Sequence, residues 1–364
     1  MTVREHLEFT LALQDTLAPN GNIVWSPFSV ASALGLLARG AGGATKDELV
    51  SLLLGDKGAQ LEALTGLLDK AEHLAEPRDD QDPPVIAVAN TLWSDERITI
   101  KPQFAEALAK LPSGSVRPAR FRADPEGARK LINSDVAKTT RDLIPELLPA
   151  GSIKQDTVAT LVNALYLKVG WQHKFQESRT ESRPFDTPSG VVQVPTMWIS
   201  ESLGYARTAG WQVVTLQAIG GVQAVVLLPD GELPEIDADT LAQLVDAPKR
   251  RKVTLRLPKL RLTLQAELTN VLTRLGVRAV FTDDADLSGV SDDPLAVQAV
   301  IHETVLKIDE QGLEGAAATA VMMRALSMDL EQPIEVTVDR PFLLLVRHAG
   351  SGAVYFSARV TDPS

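Results

Sequence analysis

The chain has 364 residues, 45% hydrophobic and 23% charged, with 36 basic against 47 acidic side chains and a formal net charge of −11. This composition excludes a disordered chain and argues against nucleic acid as a partner, because a negative surface repels phosphate and no basic stripe is read that would reverse it. The absence of cysteine removes disulfides, thiolate nucleophiles, iron–sulfur clusters and Cys-ligated zinc together.

The opening MTVREHLEFTLALQD has no long apolar core after basic residues, so no secretory signal is read. The compartment stays open between cytoplasm and secretion with a leader not present here. No run of 18 or more apolar residues occurs, so no membrane partner is expected.

The first half reads as mostly helical. Residues 3–17 repeat Leu7, Phe9, Leu11, Leu13 and Leu17 along one helix. Ser26-Pro27 starts a second, with Ser26 as N-cap, running through Val30, Leu34 and Leu37 to the Gly40–Gly43 cluster. Thr45 and Glu48 have the spacing of a capping box for a third. A fourth spans about 58–75. The polar, Pro-rich stretch 76–84 is a loop, followed by a strand from Val85 to Trp93 and helical patterns near 102–111, 125–140 and 142–148. The second half is mostly strand: 157–168, hairpins at 184–198 and around Gly220-Gly221, and an alternating run over 252–264. A helix at 265–275 ends at Gly276, and three strands lie near 334–338, 342–347 and 353–360. Helices first and antiparallel strands later predict an α+β fold.

Signatures of catalysis are absent. The five histidines form no H-x-x-x-H pair, and neither a G-x-S-x-G elbow nor a phosphate-binding G-x-x-x-x-G-K-[ST] loop occurs. No metal and no cofactor are expected, and the chain is not read as an enzyme. Asp283-Asp284-Ala285-Asp286 invites a calcium reading but lacks the spacing and closing Glu of such a loop, which favours a turn before Leu287-Ser288-Gly289.

Residues 309–328, DEQGLEGAAATAVMMRALSM, are unusual. Propensity alone favours a helix, but Gly312 and Gly315 weaken it and no helical stripe appears. At period two, Leu313, Gly315, Ala317, Thr319, Val321 and Met323 make a small, uncharged face, while Glu314, Ala316, Ala318, Ala320, Met322 and Arg324 make the other. Such a segment suits an exposed loop and also a place between the strands of a sheet.

Taken together, the sequence resembles the serpins, the serine-protease-inhibitor superfamily. NIVWSPFSVASALGLLARGAGGAT (22–45), ANTLWSDERITIKPQF (89–104), INSDVAKTTRDLIPELLP (132–149), LVNALYLKVGWQHKF (161–175), ADLSGV (285–290), VIHETVLKIDEQG (300–312), DRPFLLLVRH (339–348) and the closing VYFSARVTDP follow that family's motifs in order over nearly the whole chain. High Ala, Leu and Arg without Cys suit a prokaryotic member. The resemblance implies one domain over 1–364, with three mainly antiparallel β-sheets, eight or nine helices and an exposed reactive-centre loop at about 310–332. It implies a suicide inhibitor: a protease cuts the loop, whose N-terminal part enters the main sheet as a new strand.

By matched position, Glu310, Gly312, Leu313, Glu314, Gly315, Ala316, Ala317, Ala318 and Thr319 form the hinge. The family's spacing places the reactive bond at Leu326-Ser327. Leu326 favours a chymotrypsin-like serine protease, and Arg324 is the rival anchor for a trypsin-like one. Ser26, Ser29, Asn163 and His302 match a polar cluster beneath the sheet where it opens; Lys168 and Trp171 match its top. Four positions depart from the family. Leu313 stands where inhibitory members usually carry Thr or Ser, Gly315 where Ala is common, Val169 where Gly is common, and Asp135 where Trp is common. The 58–75 helix lacks the basic surface by which some members bind heparin, so no polysaccharide is expected, and the protein is expected to be a monomer. The alternative is a non-inhibitory binding or chaperone protein on the same fold.

Overall fold

The computed structural model describes residues 3–55, 61–77, 82–109, 114–313 and 332–364. Its helices are α1 (Val3–Leu17), α2 (Pro27–Gly40), α3 (Gly43–Leu54), α4 (Leu61–Glu72), α5 (Pro102–Ala109), α6 (Pro125–Thr139), α7 (Ala238–Asp246) and α8 (Thr269–Arg274). Its strands are β1 (Ile23–Trp25), β2 (Val85–Asp95), β3 (Gly114–Ala119), β4 (Ala159–Gly170), β5 (Glu181–Thr187), β6 (Gly190–Thr208), β7 (Trp211–Gln217), β8 (Val222–Pro229), β9 (Lys249–Pro258), β10 (Leu260–Glu267), β11 (Ala299–Ile308), β12 (Gly312–Leu313), β13 (Ile334–Thr337), β14 (Phe342–His348) and β15 (Val354–Val360).

Two hydrogen-bonded sheets result. The main sheet runs β10-β11-β12-β4-β2-β3, and β11 also pairs with β4 directly. The second runs β1-β15-β14-β8-β7-β6-β9-β13, with β5 on β6. Two of the three expected sheets are joined here by β6. It is 19 residues long and pairs with β9 over Thr196–Tyr205 and with β7 over Gly204–Thr208.

Helix α2 lies between the sheets, packing on β2, β4 and β15. Phe28, Leu34, Leu161, Leu165, Tyr355 and Phe356 belong to that apolar core. On the other face of the main sheet, Ile132 and Val136 of α6 with Ile144, Leu147 and Leu148 cover Val162, Ala164 and Val305. The main sheet is thus roofed on both faces, as a strand pair buried on both sides requires.

Local chemistry explains where sequence expectation and structure part. The capping box at Thr45 and Glu48 does not form, because the N-cap of α3 is Gly42, three residues earlier than Thr45. Thr45 Oγ1 instead accepts from the Asp286 N–H at 2.9 Å, and the Glu48 carboxylate accepts from the Arg278 and Ala279 N–H groups, each at 2.7 Å. Residues 142–148 are not helical. Arg141 and Asp142 take positive φ, Pro145 interrupts the pattern, and Asn133 holds Leu148 by both its N–H and its carbonyl. The run 252–264 is two strands rather than one. Pro258, lacking a backbone N–H, ends β9, and β10 continues in the other sheet. Residues 265–267 extend β10 against β11, so the helix expected at 265–275 shortens to α8.

Candidate functional site

Strand β4 is apolar along nearly its whole length, as a strand covered on both faces must be. Asn163 is its conspicuous exception. The register places Asn90 of β2, Asn163 of β4 and His302 of β11 in one row across three neighbouring strands. All three are buried, His302 with 0% exposure. They meet the first turn of α2, where Ser26 caps the helix by accepting from the Ser29 N–H at 3.1 Å.

The hydrogen bonds fix the state of each group. The Ser26 N–H donates to His302 Nε2 at 3.2 Å, and the Thr304 hydroxyl lies 2.7 Å from the same nitrogen. Nε2 is therefore the acceptor, and Nδ1–H donates to Asn163 Oδ1 at 2.6 Å. Asn163 Nδ2 donates to the Ser29 carbonyl at 2.8 Å, to Ser29 Oγ at 2.6 Å and to Asn90 Oδ1. Burial lowers the His302 pKa to about 3, so the ring is neutral at physiological pH. The structure thus brings Ser26, Ser29, Asn163 and His302 together, with Asn90 and Thr304 beside them. Asn90 Nδ2 is buried without a partner among the described residues.

The sheet parts just above this row. Strands β11 and β4 pair in parallel from Ala299–Thr160 to Glu303–Ala164. Farther up, β12 stands between them: Leu313 pairs with Ile308 on one side and Val169 on the other, and Gly312 pairs with Gly170. Two strands that are neighbours below, about 4.8 Å apart, are separated above by an intervening strand, which doubles the spacing. Between these levels, 304–307 and 165–168 have no ladder partner on the facing edge among the described residues.

Short-range chemistry builds the closed end of this slot. Asp309 Oδ1 accepts from the N–H groups of Gln311 and Gly312 at 2.9 and 3.2 Å, forming a tight turn. Trp171 braces the turn with its indole N–H to the Asp309 carbonyl at 2.8 Å and its backbone N–H to the Gln311 carbonyl at 3.0 Å. At Gly312 a Cβ would overlap the Val169 carbonyl oxygen and lie 2.8 Å from Gly170 Cα, so only glycine fits. Leu313 is 1% exposed and joins the central apolar core. Glu310 is 5% exposed, yet its carboxylate meets Lys259 Nζ at 2.8 Å and accepts from the Thr180 hydroxyl at 2.6 Å. Burial alone would raise its pKa; those two partners outweigh it and hold the carboxyl below its ordinary value. Lys168 is half-buried on β4 opposite Val85.

Glu310, Gly312, Leu313, Lys168 and Trp171 therefore lie at the same end of the main sheet. Lys259 and Thr180 were not singled out from sequence. Glu314, Gly315, Ala316, Ala317, Ala318, Thr319, Arg324, Leu326 and Ser327 lie outside the described residues. Of the departures from the family pattern, Val169 forms one wall of the Leu313 seat, while Asp135 of α6 pairs with Arg117 of β3.

Known proteins resemble this chain over nearly its whole length. The model of the family described as "Serpin (serine protease inhibitor)" matches residues 6–363. The rice protein Serpin-Z2B is 32% identical, over 98% of this chain and 96% of its own length. The cattle plasma serine protease inhibitor is 32% identical, over 95% of this chain and 86% of its own. Among solved structures, uncleaved ovalbumin superimposes with a TM-score of 0.86 at 25% identity, covering both chains completely. Thyroxine-binding globulin in complex with thyroxine gives a TM-score of 0.85 at 23% identity, over 100% of this chain and 99% of the other.

Proposed function

The chain belongs to the serpin family, and on that footing we propose that it is a suicide-substrate inhibitor of chymotrypsin-like serine proteases. The target's serine attacks the Leu326 carbonyl, the Ser327 amine leaves, and Leu326 is held as an acyl ester. The segment beginning at Leu313 then enters the main sheet between β11 and β4 and carries the esterified protease away before water can release it.

One observation carries this reading: β12 pairs with both walls of a slot whose facing edges have no ladder partner for four rungs below it among the described residues. Backbone groups without ladder partners favour an incoming strand. The polar row at the foot of the slot supports it, because Asn163 and His302 join the two separating strands and offer hydrogen bonds that a new strand can exchange. Leu326 fits a deep apolar primary pocket better than one built around an acid.

The bulk of Leu313 favours a second reading. A leucine buried in the seat anchors the hinge where a smaller residue would slide, which suits a binding protein that stays uncleaved. Thyroxine-binding globulin is a solved protein of this fold named for binding thyroxine. Incubation with chymotrypsin separates the two: the inhibitor gives a covalent complex that survives SDS, whereas the binding protein gives only cleaved chain and free protease.

A further inference from the structure

Lys249, Arg250, Arg251 and Lys252 form a run of four consecutive basic residues in a chain of net charge −11. They open β9. A strand throws alternate residues to opposite faces, yet Lys249, Arg250 and Arg251 are all exposed and Lys252 is half-exposed. Among the described residues none of the four is paired with a carboxylate. Farther along the same strand and just past its end, Arg256 holds Glu335 at 2.6 Å and Lys259 holds Glu310 at 2.8 Å. Their neighbour β6 fixes one edge through Lys249–Tyr205, Arg250–Gly204, Arg251–Leu203 and Lys252–Ser202. The other edge is taken by β13 only from Val253 onward, where Ile334 enters in parallel. The described chain resumes at Gln332, two residues before Ile334, so the far end of the proposed bait segment, about 310–332, rejoins the fold next to this basic end.

We propose that Lys249–Lys252 is a docking surface for an acidic patch on the target protease, beside the cleft that receives the residues after the cut bond. This rests on the inhibitor reading and narrows the partner to a protease with a carboxylate-rich rim on that side. Cations with no carboxylate partner among the described residues, on an otherwise acidic molecule, set up a local field that steers an acidic partner. Such steering raises association rates by about 10- to 1,000-fold at low salt and fades as salt shortens the Debye length.

The test compares wild type with Lys249→Gln/Arg250→Gln/Arg251→Gln/Lys252→Gln, and with the milder Arg250→Gln/Lys252→Gln should the fourfold change impair folding. The probe is chymotrypsin whose lysines have been succinylated, turning its cations into carboxylates. The second-order rate of covalent complex formation should fall at least about tenfold in the fourfold variant at about 25 mM salt, and the gap should close at about 300 mM. Stoichiometry should not change, and unmodified chymotrypsin should respond less. Equal rates for wild type and variants, with complexes still formed, would overturn the docking surface and leave the inhibitor reading standing. So would equal rates joined to loss of binding to dextran sulfate, which would make the run a polyanion site. Absence of any complex with either protease would overturn both readings.

Discussion

At Gly312 the backbone approaches Val169 so closely that one methyl group has nowhere to go. Gly312→Ala should therefore lift β12 from its seat, costing about 1–3 kcal/mol in urea unfolding and diverting more of the cut inhibitor to released product; wild-type stability would mean the hinge is not held there. Leu326 carries specificity in the proposal. Leu326→Arg should move inhibition from chymotrypsin to trypsin, and the fragment released by chymotrypsin from wild type should begin at Ser327. A fragment beginning at Ala325 would transfer the role to Arg324. His302 supplies a pH signature. Its folded pKa of about 3 lies below the ordinary 6.5, so its contribution to stability is complete above pH 6.5 and drains as pH falls toward 3. Buried His6, lowered to about 4, acts in the same direction. Glu303, raised by burial to about 7, opposes them: its contribution is present below 4.5 and lost as pH rises through 7. His302→Gln should thus show a shallower fall of Tm between pH 6 and 4 than wild type; equal slopes would contradict a neutral buried ring. Much of this site was legible in sequence because its motifs are contiguous. Asn90 and Lys259 were not, since one enters through strand register and the other through a side chain that meets Glu310 only after the chain changes sheets.

Elements tell a similar story. Helices α1 and α2 were readable to their ends, because an apolar stripe and the Ser26-Pro27 cap state both face and start. The break between β9 and β10 was hidden: Val253, Leu255, Leu257, Leu260 and Leu262 are all buried in one apolar core, but they reach it from two different sheets. Helix α7 was missed although Asp237 caps it, because its nine residues stand among strand signals. The exposure of 249–252 escaped for the opposite reason, since alternation alone would have split the run between two faces. The slot between β11 and β4 is the element-scale claim. A strand entering it needs backbone donors for both walls, so Ala317→Pro removes a ladder N–H in its middle. The variant should still be cut by chymotrypsin, yet accumulate cleaved chain and active protease in place of covalent complex. Trapping equal to wild type would show that insertion does not drive inhibition.

For the whole molecule, the main sheet is closed by direct pairing at one end and wedged by two residues of β12 at the other. The edges between, 304–307 and 165–168, are where the facing strands have no ladder partner among the described residues. Cutting a chain ordinarily loosens a protein, because it frees an end and adds conformational entropy to the opened state. Here the sign reverses if the freed end fills the slot, pairing both edges and burying Val321 and Met323 against a sheet already roofed on both faces. The most direct measurement is thermal unfolding of intact protein beside the same protein nicked once at Leu326-Ser327, in one buffer. The account predicts a clear rise in Tm on cutting. An unchanged or lowered Tm would contradict loop insertion and leave Leu313 as the anchor of a hinge that does not move.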